Sequence, residues 1–177
     1  WMQAAIVSSV PDSAARLLRE IVRQDGTAGA GRHLFKALSA VVGARQQSDE
    51  IADLLQVIAH QPAGDVAAFQ TNCLGGLLDG MRRGKPASLT ATNGLAALRE
   101  LLTSPSTVVR GQALQMASVL KLSQSPEMSA VFEAATLEAL DSRRSIPERQ
   151  SAIALLASAP FTQLEPVAAK LLDARQP

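Results

Sequence analysis

The first residues that suggest chemistry form a glycine-lysine segment in the middle of the chain. Gly80, Gly84 and Lys85 have part of the spacing of a loop that binds phosphate. Such a loop needs G-x-x-x-x-G-K-[ST], because backbone amides surround the phosphates and a hydroxyl group holds magnesium. Asp79 occupies the position of the first glycine and Pro86 replaces the hydroxyl residue. We therefore predict the end of a helix and a linker here.

A second glycine segment could be read as a dinucleotide-binding loop. Gly29-Ala30-Gly31 has the first two glycines of that fingerprint, but Leu34 stands where the third belongs. The fingerprint also requires a preceding strand, and none is predicted. An ordinary loop is the better interpretation.

Metal ligands and nucleophiles are sparse. His33 and His60 are the only histidines, and neither has a second His, Cys or suitable acid pair nearby to complete a metal site. Cys73 shares an apolar helical stripe with Phe69 and Leu77, which favours a small buried side chain over a reactive thiol. We predict no catalytic residue, no metal and no cofactor in this segment.

Two basic clusters are the remaining candidate binding residues. They could contact the phosphate backbone of a nucleic acid, and they could equally be solvated helix ends and turns. The chain has 17 Lys and Arg against 16 Asp and Glu, a net charge of +1, which produces no strong field for a polyanion. Nucleic acid is thus the alternative partner and not the expected one. The clusters are Arg82, Arg83 and Lys85, then Arg143, Arg144 and Arg149.

The elements that must position these residues are predicted to be helices throughout. Of 177 residues, 47% are apolar and only 3% aromatic, with no Tyr. Apolar residues recur at i, i+3, i+4 and i+7, as in Leu17, Leu18 and Ile21, while no alternating pattern predicts a strand. We predict helices at 1–10, 13–24, 32–44, 48–60, 64–82, 92–103, 107–121, 127–141, 146–158 and 163–174.

Capping signals fall where these helices should begin. Ser145 with Glu148, and Thr162 with Glu165, have the spacing of a capping box, in which a side chain and the backbone satisfy each other's free amides. Pro126 suits a first turn, where its missing N–H would have been unpaired. Further N-cap candidates are Asp12, Ser48, Asn93 and Ser106.

A repeat appears when two segments are aligned. Arg110 and Arg149 both begin an Arg-x-x-Ala motif followed by an aliphatic residue, and a helix with a Leu-x-x-Leu ending precedes each motif. The offset between the two arginines is about 40 residues, which with two helices per unit is the size of a HEAT or armadillo repeat. The motif resembles the HEAT repeat, although Ser104-Pro105-Ser106 stands where that family usually has an Asp that pairs with the Arg ladder.

A narrower resemblance involves residues 1–9 together with Leu34, Leu38, Val41 and Val42. These segments resemble the HEAT portion of large planctomycete- and verrucomicrobium-type haem-binding proteins that are described as membrane-bound dehydrogenases. In that family the HEAT array joins a propeller-like dehydrogenase domain to a cytochrome c domain. The haem motif Cys-x-x-Cys-His is absent here, so the resemblance assigns any redox activity to other parts of a parent protein.

The sequence thus predicts an all-α superhelix, a HEAT/armadillo-like solenoid of about four to five helix pairs over residues 1–177. We expect this single domain to belong to a larger multidomain protein, because Met2 follows Trp1 and the last helix lacks a predicted partner. Its expected role is a noncatalytic scaffold for a protein or a neighbouring domain, with an end-to-end dimer as a further expectation. No apolar run approaches the length of a membrane span, so no membrane contact is expected from this segment. The family resemblance implies a periplasmic or cell-envelope location.

Overall fold

The computed structural model describes residues 14–25, 33–60, 65–83, 92–122, 126–157 and 159–172. Within these ranges the chain forms nine α-helices and no strand. The helices are α1 (Ala14–Asp25), α2 (Phe35–Arg45), α3 (Ser48–Ala59), α4 (Val66–Met81), α5 (Thr92–Leu102), α6 (Thr107–Val119), α7 (Pro126–Leu140), α8 (Ile146–Leu156) and α9 (Phe161–Leu171).

These bounds confirm nine of the ten predicted helices to within a few residues, and the predicted helix at 1–10 lies outside the described residues. The apolar stripe of α3 shows why periodicity locates the helices. Ile51, Leu54, Leu55 and Ile58 are all buried, while Asp53 on the opposite face is exposed. Burial of one face against neighbouring helices stabilises a helix that would be marginal alone in water.

The predicted helix starts are partly correct. Ser106 caps α6 by accepting a hydrogen bond from the backbone N–H of Val109 at 3.4 Å. Pro126 opens α7 in the first-turn position, as predicted. Ser145 and Glu148 form the predicted capping box at α8, where the backbone N–H of Ser145 donates to Glu148 Oε2 at 2.9 Å.

Three predicted caps are wrong. Ser48 is the first residue of α3 and Thr162 the second residue of α9, and the N-cap residues are Gln47 and Pro160. Asn93 is also inside a helix, because α5 already begins at Thr92. The predicted cap at Asp12 lies outside the described residues.

The chain divides into two compact units, Trp1–Leu120 and Lys121–Pro177. In the first unit, which contains α1 to α6, each helix packs on the next helix but one, and most successive helices also pack together. Helix α3 contacts α1 and α5, and helix α4 contacts α2 and α6. The helices of the first unit therefore form two rows, α1–α3–α5 and α2–α4–α6.

The closest contact in the first unit joins α2 to α4. A Cβ atom added to Gly76 would collide with the carbonyl oxygen of Lys36, and one added to Gly80 would collide with that of Ala40. The two pairs have the same sequence separation and follow each other in the same order along both helices, so the helices run parallel. Glycine is required at these two positions because the two backbones touch.

Side chains at the ends of α2 extend this contact. The rings of Phe35 and Phe69 meet edge to face, with centroids 4.9 Å apart. Gln46 follows α2 in a left-handed conformation (φ 55°), and its Nε2 donates to the carbonyl oxygen of Met81 at 3.1 Å. The turn after α2 therefore also holds the last turn of α4.

The second unit contains α7, α8 and α9. Helix α7 packs on both α8 and α9. Its buried side chains include Val131, Phe132 and Ala135, and they are accompanied by Leu155 and Leu156 of α8 and by Val167 of α9. Because α7 contacts both other helices, it is the central element of this unit.

Candidate interaction surface

The basic cluster at the turn between α7 and α8 is largely neutralised by its own acids. Arg143 Nε lies 3.0 Å from Asp141 Oδ1, and Arg144 Nη1 lies 3.4 Å from Glu148 Oε1. The hydrogen bond from Arg143 lowers the pKa of the Asp141 carboxyl. These contacts are exposed, so they compete with water and with any anionic ligand. The turn thus presents alternating charges rather than a positive patch.

The third member of this cluster, Arg149, has a structural contact. Its Nε donates to the carbonyl oxygen of Ala139, in the last turn of α7, at 3.0 Å. Arg110, its counterpart in the aligned repeat, likewise donates to the carbonyl oxygen of Ser104, just after α5. Each arginine therefore holds the end of the preceding helix through a backbone carbonyl.

The first predicted cluster lies at the end of α4. Arg82 and Arg83 are exposed there, and Arg82 Nη1 lies 3.9 Å from Asp79 Oδ1. Asp79 is also 3.1 Å from Lys36 Nζ of α2. Lys85 lies outside the described residues. Gly80, which belongs to the glycine-lysine segment, is in the last turn of α4 and packs against α2, so it is not part of a phosphate loop.

Cys73 is fully buried at the contact between α2 and α4, as its position on the apolar stripe predicts. Burial raises the pKa of its thiol to about 12, and the nearby hydroxyl of Ser39 opposes that shift. A thiol in this state is almost entirely protonated at neutral pH and is therefore a poor nucleophile.

The two histidines occupy separate positions on the first unit. His33 is exposed just before α2. His60 follows α3, with Nδ1 3.0 Å from the carbonyl oxygen of Gln56 and Nε2 3.6 Å from Glu100 Oε2. Among the described residues, no three His, Cys, Asp or Glu side chains cluster closely enough to hold a metal ion. None of the described helices has the length and apolar character needed to cross a membrane.

A cavity of about 330 Å³ lies where the ends of α3 and α5 meet the beginning of α4. Gln70 is the most deeply buried polar residue of its lining, and its Nε2 donates to the carbonyl oxygen of Ile58 at 3.1 Å. Glu100 is the one charged residue among the described lining residues. Two hydroxyl groups of the described lining bond to nearby backbone: Thr103 Oγ1 donates to the carbonyl oxygen of Glu100 at 3.0 Å, and Ser104 Oγ accepts from the N–H of Ser106 at 3.3 Å.

A groove of about 490 Å³ lies between α7 and α9 in the second unit. Its apolar lining includes Phe132, Leu137 and Val167, and its charged residues are Glu133 on α7 and Lys170 on α9. Leu137 is 73% exposed although it lies on the groove. The described lining of this groove is thus mainly apolar, with one acid and one base beside it.

Exposed large apolar side chains are concentrated in the second unit. The described residues include six of them, and five belong to this unit: Leu137, Ile146, Ile153, Phe161 and Leu172, whereas Val108 belongs to the first. Single exposed apolar residues are normal on protein surfaces, whereas a concentration of them in one unit favours an interaction site. The sequence does not predict this surface. In the sequence, Leu137 belongs to the Leu-x-x-Leu pattern that ends the helix before the repeat motif. An aliphatic residue at a helical spacing gives no signal of which face remains uncovered.

Comparison of the chain with protein-family models, with curated proteins and with solved structures finds no match in any of the three. The resemblance to the HEAT repeat and the narrower one to haem-binding dehydrogenases therefore remain predictions from the sequence.

Proposed function

We propose that this chain is a noncatalytic helical-repeat module, a HEAT-like solenoid that presents an apolar surface of its second unit to a partner protein or domain. The observation that carries this proposal is the concentration of exposed large apolar side chains on and beside α7, α8 and α9. Leaving such groups in water has a cost of about 25 cal/mol for each Å² of apolar area, which a partner that covers them would remove.

The repeat architecture is supported by the packing of the first unit. Helices α2 and α4 are parallel and in contact. The residues that touch are about 40 positions apart in the sequence, which is the length of one HEAT-type repeat. His60 and Glu100 meet at the ends of α3 and α5 with the same sequence separation. Equivalent helices of successive repeats are expected to contact each other in this way when helix pairs stack.

The aligned Arg-x-x-Ala segments support the same interpretation within each unit. Arg110 and Arg149 are each the fourth residue of a helix that follows a serine N-cap, and Ala113 and Ala152 are both buried three residues later. The two segments that are similar in sequence therefore also have the same local structure. A single fold over residues 1–177 and the multidomain parent stay predictions.

Site-specific photo-crosslinking of the full-length protein in its native cells tests the interaction role. A photoreactive residue at Ile153 or Phe161 should give a discrete adduct of constant mass, because these side chains belong to the proposed surface. The same residue at Gln115, which is exposed on α6 of the first unit, is the matched control. The proposal would be contradicted if no adduct formed at Ile153 or Phe161, or if the adducts there were no stronger than at Gln115.

Nucleic-acid binding is the alternative that the basic clusters suggested. The acids beside Arg143 and Arg144 reduce the positive potential that such binding needs. We therefore expect no salt-dependent binding of duplex DNA at low ionic strength, measured by fluorescence anisotropy. Tight binding that weakens steeply with added salt would favour the alternative over the scaffold.

A further inference from the structure

We propose that the groove between α7 and α9 is a self-complementary face that binds a second copy of this chain in a twofold-symmetric dimer. The charges that flank the groove favour this occupant over others. The dimer is independent of the partner protein inferred above, since a monomeric chain could still present its other exposed residues to a partner.

The floor and wall of the groove supply the apolar part of the contact. Phe132 and Val167 are buried beneath it, whereas Leu137 stands on α7 with 73% of its surface exposed. A concave apolar surface next to an exposed leucine allows each copy to insert Leu137 into the groove of the other. Reciprocal insertion would bury both leucines and exclude water from both grooves, which is the principal favourable term in association.

The charges beside the groove favour a second copy as the occupant. Glu133 belongs to the α7 wall and Lys170 to the α9 wall, and both are exposed. Neither has an ion-pair partner within the described part of the chain. A surface with an acid on one wall and a base on the other is complementary to itself after a half-turn about an axis along the groove. That rotation places Glu133 of each copy opposite Lys170 of the other.

The symmetry also makes the contact isologous, so each residue pair occurs twice. Two Glu133–Lys170 pairs would then flank the two inserted leucines. Charges at an interface rim contribute mainly to partner selection, and like charges placed opposite each other oppose association. This doubling makes the proposed dimer sensitive to the reversal of one charge.

Charge reversal with sedimentation velocity tests the proposal on the whole chain. The wild type should shift from monomer to dimer between micromolar and high-micromolar concentrations. Glu133→Lys alone and Lys170→Glu alone should each raise the dissociation constant of the dimer by about tenfold or more, because both attractive pairs become repulsive. An equimolar mixture of the two variants should form heterodimers. In this heterodimer opposite charges face each other at both pairs, because one copy supplies two bases and the other supplies two acids.

Leu137→Lys should abolish the dimer, because it places a charge in the apolar contact. Circular dichroism and thermal unfolding of each variant establish that loss of the dimer is not loss of the fold. A wild type that is monomeric at all concentrations would overturn the proposal. So would a dimer whose dissociation constant is unchanged in both reversed variants, or one that the mixture fails to restore.

Discussion

Two glycines that look alike in the sequence have opposite structural roles. Gly80 touches the carbonyl oxygen of Ala40, whereas a Cβ on Gly111 in α6 would meet no atom within 4 Å. Gly80→Ala must separate α2 from α4 and should destabilise the protein by about 1–3 kcal/mol. Gly111→Ala should stabilise it by about 0.5–1 kcal/mol, because alanine loses less backbone entropy in a helix. Urea unfolding measures both, and the same sign for both changes would refute this assignment.

The buried thiol of Cys73 provides a second test at the scale of one residue. Its pKa of about 12 and its complete burial predict that it stays unmodified by iodoacetamide at neutral pH in the folded protein. The same reagent should modify it rapidly once urea unfolds the chain. Mass spectrometry measures the rate of modification. Fast modification under native conditions would show that the contact between α2 and α4 is open.

At the scale of the element, helix α8 depends on its capping box. Glu148 Oε2 is 2.9 Å from the backbone N–H of Ser145 and 2.7 Å from its hydroxyl. The hydroxyl contact, followed by the backbone one, lowers the pKa of Glu148 in the folded state. A carboxyl with a lowered folded pKa stabilises the protein above its unfolded pKa of about 4.3, and the stabilisation is lost as the pH falls through the folded value.

Ser145→Ala should therefore raise the pKa of Glu148 toward its ordinary range and reduce the loss of stability on acidification. The carboxyl signal of Glu148 in an NMR titration reports the first effect, and urea unfolding at neutral and acidic pH reports the second. Ser142→Ala, at an exposed position in the same turn, is the matched control and should change neither. An unchanged titration of Glu148 in Ser145→Ala would contradict the role of the box.

The arginine that follows this cap also acts on a whole element. Arg149 holds the last turn of α7 through the carbonyl of Ala139, so Arg149→Ala should lower the free energy of unfolding by about 1–2 kcal/mol. Arg143→Ala, in the same predicted cluster, removes only an exposed ion pair and should leave the stability nearly unchanged. Comparable losses of stability in the two variants, measured by urea unfolding, would mean that Arg149 has no special anchoring role.

Helix positions were predictable because burial of one face imposes a period of 3.6 on the sequence, as Ile51, Leu54, Leu55 and Ile58 show. Helix starts were less predictable, since Asn93 and Thr162 are residue types that cap helices but lie inside theirs. The close glycine contact between α2 and α4 was not predicted. Gly76 and Gly80 contribute no side chain to a hydrophobic pattern, and only the opposing helix reveals why they are glycine.

At the scale of the whole molecule, the sequence predicted helices throughout but did not locate the surface that carries the functional proposal. An apolar stripe has the same spacing whether another helix covers it or not, so Leu137 and Ile153 could not be distinguished from core residues. The basic clusters could be identified in the sequence. The acids that neutralise Arg143 and Arg144, however, come close to them only when the turn between α7 and α8 has formed. Composition and net charge describe the chain as a whole and contain no such local information.

Parallel packing of equivalent helices, one repeat apart in the sequence, is the feature on which the proposed solenoid depends. NMR measurement of nuclear Overhauser effects between protons of Gly80 and Ala40, and of Gly76 and Lys36, tests it most directly. The contacts between α2 and α4 predict strong signals for both pairs, because the backbones touch there. Signals that connect only helices adjacent in sequence, with none between these two pairs, would contradict the repeat and the function proposed from it.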